Sequence, residues 1–117
     1  KKKRSIFFAY QKLLSPMNLI MNPVPKEKNT HYGYWMPTIV FDKELNINRE
    51  KLIQKFKDNN IDGRVFFYPL SSLPMFKEKK ENIISYNIFN RGINLPSYHE
   101  MTNQDIEKVT EIILNER

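Results

Sequence analysis

The run YGYWMPTIVF, residues 32–41, is the most β-like in the chain, built from aromatic and β-branched side chains. It predicts a strand over 32–41, with Trp35 near its middle as a core anchor. Pro37 falls inside the run and cannot donate a ladder hydrogen bond, so the strand needs an open edge or a bulge there. One strand buries nothing by itself. The fold class therefore rests on what flanks it.

On the N-terminal side lies a charged loop, KEKNTH at 26–31, and before it an irregular or short extended stretch from Pro16 to Pro25. Further back, Ile6, Phe7, Tyr10, Leu13 and Leu14 form one apolar stripe, which predicts a helix over 3–15. Ser15-Pro16 ends it, because the residue before a proline avoids the helical region. On the C-terminal side, Asn48 is placed to cap a helix carrying Leu52, Ile53 and Phe56. NNIDG closes that helix, and Gly63 is expected to turn the backbone into a second strand, RVFFY. PLSSLP is a loop with a proline at each end. A short helix is expected around Ile84 to Phe89, with Gly92 as its C-terminal cap. INLPS reads as short, extended and buried. Thr102 and Asp105 then form a capping-box pattern ahead of Ile106, Val109 and Ile113.

The order is helix, strand, helix, strand, short helix, strand, helix. It predicts one small α/β domain over 1–117, with a three- to four-stranded sheet covered by helices mainly on one face.

Composition narrows the function classes. The chain is 117 residues long and 40% hydrophobic, enough for a single real core. It has no cysteine, hence no disulfide and no thiolate metal site. It also lacks the run of about 18 apolar residues that a membrane span needs. A cytoplasmic location without membrane partners is the expectation. The net charge is +6, but Lys1 to Arg4 supply four of those charges. The remaining lysines mix with acids, the pattern of a solvated surface rather than of a phosphate track, so no nucleic-acid partner is expected. A chain that opens on LysLysLysArg without an initiating Met is expected to be a piece of a longer protein.

No catalytic constellation is complete. His31 and His99 lack metal-ligand neighbours at useful spacing, so no metal is expected, and His99 fits an exposed polar turn. Ser71, His99 and Asp62 would make a triad on paper only, with no nucleophile-elbow pattern to support it. Gly33, Gly63 and Gly92 stand alone, so there is no phosphate-cradling loop. The segment GRVFFYPLSSLPMF, 63–76, is less ordinary. Arg64 opens an aromatic run that enters a proline-stiffened loop holding Ser71 and Ser72. A cation beside an aromatic wall, with hydroxyls on a rigid loop, suits an anionic or sugar-like ligand. The same residues also suit plain packing: Phe66, Phe67 and Tyr68 in core and edge, Arg64 at the surface, and the serines as turn formers.

Three ordered blocks carry a resemblance: YWMPTIVFD (34–42), REKLIQKFKDNNIDGRVFFYPLSSLPMF (49–76) and NRGINLPSYHEMTNQDIEKV (90–109). Together they resemble the C-terminal region of the DegT/DnrJ/StrS sugar aminotransferases, in the branch similar to perosamine synthases. KKKRSIFFAYQKLL looks like the helix that joins the large and small domains in that family. The resemblance implies an aspartate-aminotransferase-like fold, with 1–15 as connecting helix and 16–117 as the small domain. It implies pyridoxal phosphate held by a large domain outside this chain, with glutamate and a nucleotide-diphosphate keto-sugar as substrates of a full-length homodimer. No lysine here stands in the family's Schiff-base context, so catalytic and cofactor-binding residues are expected outside the chain, which alone should be inactive. Arg64, Phe67, Tyr68 and Ser71 are the candidate substrate-binding residues. Many members carry a histidine where this chain has Ser71, and serine fits the perosamine-like branch. The alternatives are a dehydratase of the same family, in which the Schiff-base lysine is replaced, and a free-standing basic binding module.

Overall fold

Leu19–Met21 (β1), Thr38–Phe41 (β2), Arg64–Val65 (β3) and Gly92–Asn94 (β4) form one antiparallel sheet in the order β1-β2-β4-β3. The computed structural model describes residues 1–27 and 29–116; Lys28, within the predicted charged loop, and Arg117 lie outside it. Among the described residues the α-helices are Lys2–Leu13 (α1), Arg49–Asp58 (α2), Ile83–Ile88 (α3) and Asn103–Leu114 (α4), with short 3-10 turns between some of these elements. The α/β class and the four-stranded sheet match the sequence expectation.

Register decides which side chains meet the core. Ile39 stands opposite Ile93 and Met21, and Phe41 opposite Leu19, so these residues share one face. Ile6, Tyr10 and Leu14 of the first helical turn system, Leu52 and Phe56 of α2, and Ile106, Val109 and Ile113 of α4 pack onto that face in one cluster. α4 lies against both α1 and α2. The Tyr10 hydroxyl donates to the Pro96 carbonyl at 3.0 Å, tying α1 to the segment after β4. Burial pushes the Tyr10 phenol far above its ordinary value, so it stays a neutral donor. On the opposite face Thr38 donates to Asn94 Oδ1 at 2.8 Å, while Ile20 is exposed.

Both predicted caps form. Asn48 Oδ1 accepts from the Lys51 amide at 2.9 Å. Thr102 and Asp105 make a reciprocal capping box, with Asp105 accepting from the Thr102 amide at 2.8 Å.

Three expectations fail for physical reasons. The strand predicted over 32–41 occupies only 38–41, because Tyr34 adopts a left-handed φ of 52° that no strand continues through. Its aromatics turn sideways onto α1: the Tyr34 ring lies 5.0 Å from Phe7 and 5.5 Å from Phe8. Trp35, expected in the core, is 67% exposed. The strand predicted over RVFFY stops at Val65, with one further bond from the Phe66 amide to the Gly92 carbonyl. β3 and β4 run antiparallel, so as β3 advances its partner has already reached Gly92, and nothing is left to pair.

Finally, neither Gly63 nor Gly92 uses the left-handed backbone assigned to it, since no glycine has positive φ among the described residues. The turn is taken by Asn60, at φ 58°, and Gly92 is extended as the first residue of β4. Both are glycines for want of room. A Cβ on Gly63 would stand 2.2 Å from the Phe56 ring, and one on Gly92 2.7 Å from Phe66 Cβ.

Candidate functional site

Between Asp62 and Gly92 the chain leaves the core. No side chain from this segment joins the hydrophobic cluster, and none of the residues of α3 is buried. Polar pins hold it instead. Buried Arg49 donates to the Phe89 carbonyl at 2.6 Å and stands 5.9 Å from the Phe89 ring centroid. Arg91 donates to the Phe41 carbonyl and, at 2.6 Å, to Asn87 Oδ1. Arg49 also binds Glu50 Oε1 at 2.9 Å, and that hydrogen bond holds the Glu50 carboxyl below its usual range.

The candidate residues all lie in or beside this segment, in two groups. Arg64 sits at the start of β3, fully in solvent, with its guanidinium on Asp62 at 2.8 Å. Hydrogen bonding to Asp62 raises its already high pKa. An ion pair exposed on both sides is weak, so Arg64 can exchange Asp62 for another anion at small cost. Phe67 and Tyr68 are exposed, with Tyr68 stacked at 5.6 Å on Phe89. The core packing considered for them does not occur.

Ser71 and Ser72 behave differently from one another. Leu70–Ser72 forms one 3-10 turn, and the Ser72 hydroxyl donates to the Pro69 carbonyl at 2.6 Å, which is the turn-former role. The Ser71 hydroxyl is buried 3.0 Å from the Tyr86 hydroxyl and accepts from Asn82 Nδ2 at 3.4 Å. No hydrogen bond joins the Arg64 group to the Ser71 group among the described residues. The paper triad does not assemble either: Asp62 is on Arg64, Ser71 is on Tyr86, and His99 is exposed.

Tyr86, Asn82 and Arg49 escaped the sequence reading. Tyr86 lies 15 residues from Ser71, and a contact across that separation leaves no trace in a helical or strand period. A second feature was also hidden. Exposed Trp35 lines a cavity of about 310 Å³ with Tyr32, Tyr34, Phe7 and His31, created by the break in the predicted strand.

The lysines do not fit the cofactor that the resemblance implies. A Schiff-base lysine needs a desolvated amine beside a phosphate-binding cradle. Among the described residues every lysine except Lys3 is exposed, and the Lys3 ammonium donates to the Ser97 carbonyl. Among the described residues no lysine has that setting, so no step through pyridoxal phosphate is assigned to one of them.

Comparison with known proteins agrees with the fold. The chain is 34% identical over 119 residues to a GDP-perosamine synthase of Vibrio cholerae, covering 98% of this chain but 32% of that protein. It spans about a third of the length of that relative. Among solved structures, the aminotransferase TlmJ from Streptoalloteichus hindustanus superposes with a TM-score of 0.81 at 16% identity, over 98% of this chain and 30% of the other. The PLP-form of the putative sugar aminotransferase Spr1654 from Streptococcus pneumoniae gives 0.81 at 15% identity, again over 98% and 30%. These two likenesses concern the fold. The pattern of the DegT/DnrJ/EryC1/StrS aminotransferases matches residues 1–114, and the chain belongs to that family.

Proposed function

We propose that this chain is the small C-terminal domain of a pyridoxal-phosphate enzyme that moves an amino group from glutamate to a nucleotide-diphosphate keto-sugar. In this reading residues 1–15 connect it to the large domain, and the full-length enzyme is a cytoplasmic homodimer. The observation that carries it is the 34% identity to a GDP-perosamine synthase along nearly the whole chain. The chemistry of the chain supports it. A cation, exposed aromatics and a stiff hydroxyl loop on one segment are suited to bind and orient a ligand.

When bound by the remainder of the enzyme, pyridoxal phosphate supplies the electron sink for amino transfer. This chain's part is recognition. Arg64 releases Asp62 and takes a carboxylate or diphosphate, whose paired oxygens match its fork. Phe67 and Tyr68 form an apolar wall that excludes water, and Ser71 meets a sugar hydroxyl or the ketone oxygen.

The test is kinetic. With the chain joined to a family large domain, glutamate and a panel of nucleotide-diphosphate keto-sugars should release 2-oxoglutarate and an amino-sugar. Arg64→Ala and Ser71→Ala should each lower kcat/KM about ten- to a hundredfold, the loss of one charge-assisted or buried hydrogen bond. Wild-type kinetics in both variants would remove this loop from the site. Loss of water from the sugar without nitrogen transfer would mark a dehydratase instead.

A further inference from the structure

The two serines of the loop differ in what holds them. Ser72 is satisfied within its own turn, by Pro69 three residues back. Ser71 is held from 11 and 15 residues away, by Asn82 and Tyr86 on the next helical segment. A loop serine needs no such partners to make a turn.

Counting valences shows what the arrangement leaves. A hydroxyl has one proton to donate and two lone pairs to fill. Asn82 fills one lone pair of Ser71, and the contact with Tyr86 uses either the second lone pair or the proton. One valence of Ser71 is left over, and its direction is set by the other two. The frame behind it is also fixed, since Arg91 grips Asn87 and Arg49 grips Phe89, one and three residues after Tyr86.

We propose that Tyr86 and Asn82 are positioning residues, which fix the Ser71 hydroxyl so that its remaining valence faces the substrate sugar. This rests on the functional reading above. The specificity of the loop then depends on α3, which does not itself have to touch the ligand. Tyr86→Phe keeps the ring and its packing and removes only the hydroxyl.

Two cycles of Ser71→Ala, Tyr86→Phe and the double variant test it. In the 117-residue chain, each single change should lower the melting midpoint by about 3–6 °C, the effect of one part-buried hydrogen bond. The double variant should melt no lower than the worse single one. Strictly additive shifts would mean the two hydroxyls do not act together, and would overturn the proposal. In the full-length enzyme, Tyr86→Phe should lower kcat/KM about tenfold, and should cost nothing further once Ser71 is alanine. A purely structural Tyr86 would instead lower kcat/KM by the same factor in both backgrounds. An active enzyme indifferent to Tyr86→Phe overturns the positioning role and leaves the functional reading intact. A full-length protein that transfers no amino group overturns both.

Discussion

Trp35 belongs to a segment with the composition of a buried strand, yet two-thirds of it is open to solvent. β-propensity measures how well a side chain fits a half-buried pleated surface, and it is blind to one residue leaving the extended region. Tyr34 does that, and its ring packs on Phe7 and Phe8 of α1, with the Arg4 guanidinium 5.8 Å from the Tyr34 ring centroid. The consequence is measurable. Trp35→Ala should lower stability by less than about 1 kcal/mol, far under the 3–5 expected of a buried tryptophan. Gly63→Ala should be costly, because Gly63 is buried against α2. Its methyl would enter the Phe56 ring, so a denaturant melt should show a loss of about 1–3 kcal/mol. Both glycines were visible in the sequence as special positions. The reason was not, because close approach of a side chain 7 or 26 residues away has no local signature.

The elements were legible where their signal was local. The apolar stripe of α1, the Asn48 cap and the Thr102–Asp105 box needed only neighbouring residues, and each is present. The start of β2 was misread because one backbone torsion, at Tyr34, interrupts the extended run, and the end of β3 because its pairing partner runs out. The capping box also makes α4 sensitive to acid. Hydrogen bonds from the Thr102 amide and hydroxyl hold the Asp105 carboxyl below its ordinary value of 3.8. A depressed carboxyl stabilises the fold above its unfolded pKa, and that contribution disappears as pH falls through the folded value. Asp105→Asn should therefore lower the melting temperature at pH 7, with the difference from wild type shrinking below about pH 4. Thr102→Ala should cost about 0.5–2 kcal/mol at pH 7 and less below about pH 4, because part of what the hydroxyl does is hold the ionised Asp105 carboxylate.

At the scale of the whole molecule the chain is two kinds of structure on one sheet. One is a cluster in which three helices cover Ile39, Phe41 and Ile93. The other is the segment 62–92, attached by Arg49, Arg91 and the short β3 ladder, with Leu70, Met75, Ile83 and Ile84 among its exposed side chains. Stability should divide accordingly. In native-state hydrogen exchange, amides of 82–91 should open at a free energy below that of α4 and β2, and a protease should cut first within 73–82. Equal protection across the chain would show that the pins bind the segment as tightly as the core binds itself. Arg64, Phe67, Tyr68 and Ser71 were legible in the sequence as neighbours along one segment. The contacts of Ser71 were not, because Tyr86 and Asn82 reach it from 15 and 11 residues away, while Asp62 is a local partner two residues from Arg64.

The separation of segment 62–92 from the hydrophobic cluster also bears on how such a chain can diverge. Selection for packing holds a core residue nearly constant, because even one methylene there is felt. Most side chains of 67–84 carry no such burden, buried Pro69 and Ser71 and the Asn82 partner apart, so a lineage can exchange the others more freely while the same sheet and helices keep their sequence constraints. A change of sugar would then be recorded as substitutions in one short stretch, and the scaffold behind it would drift at its own, slower rate.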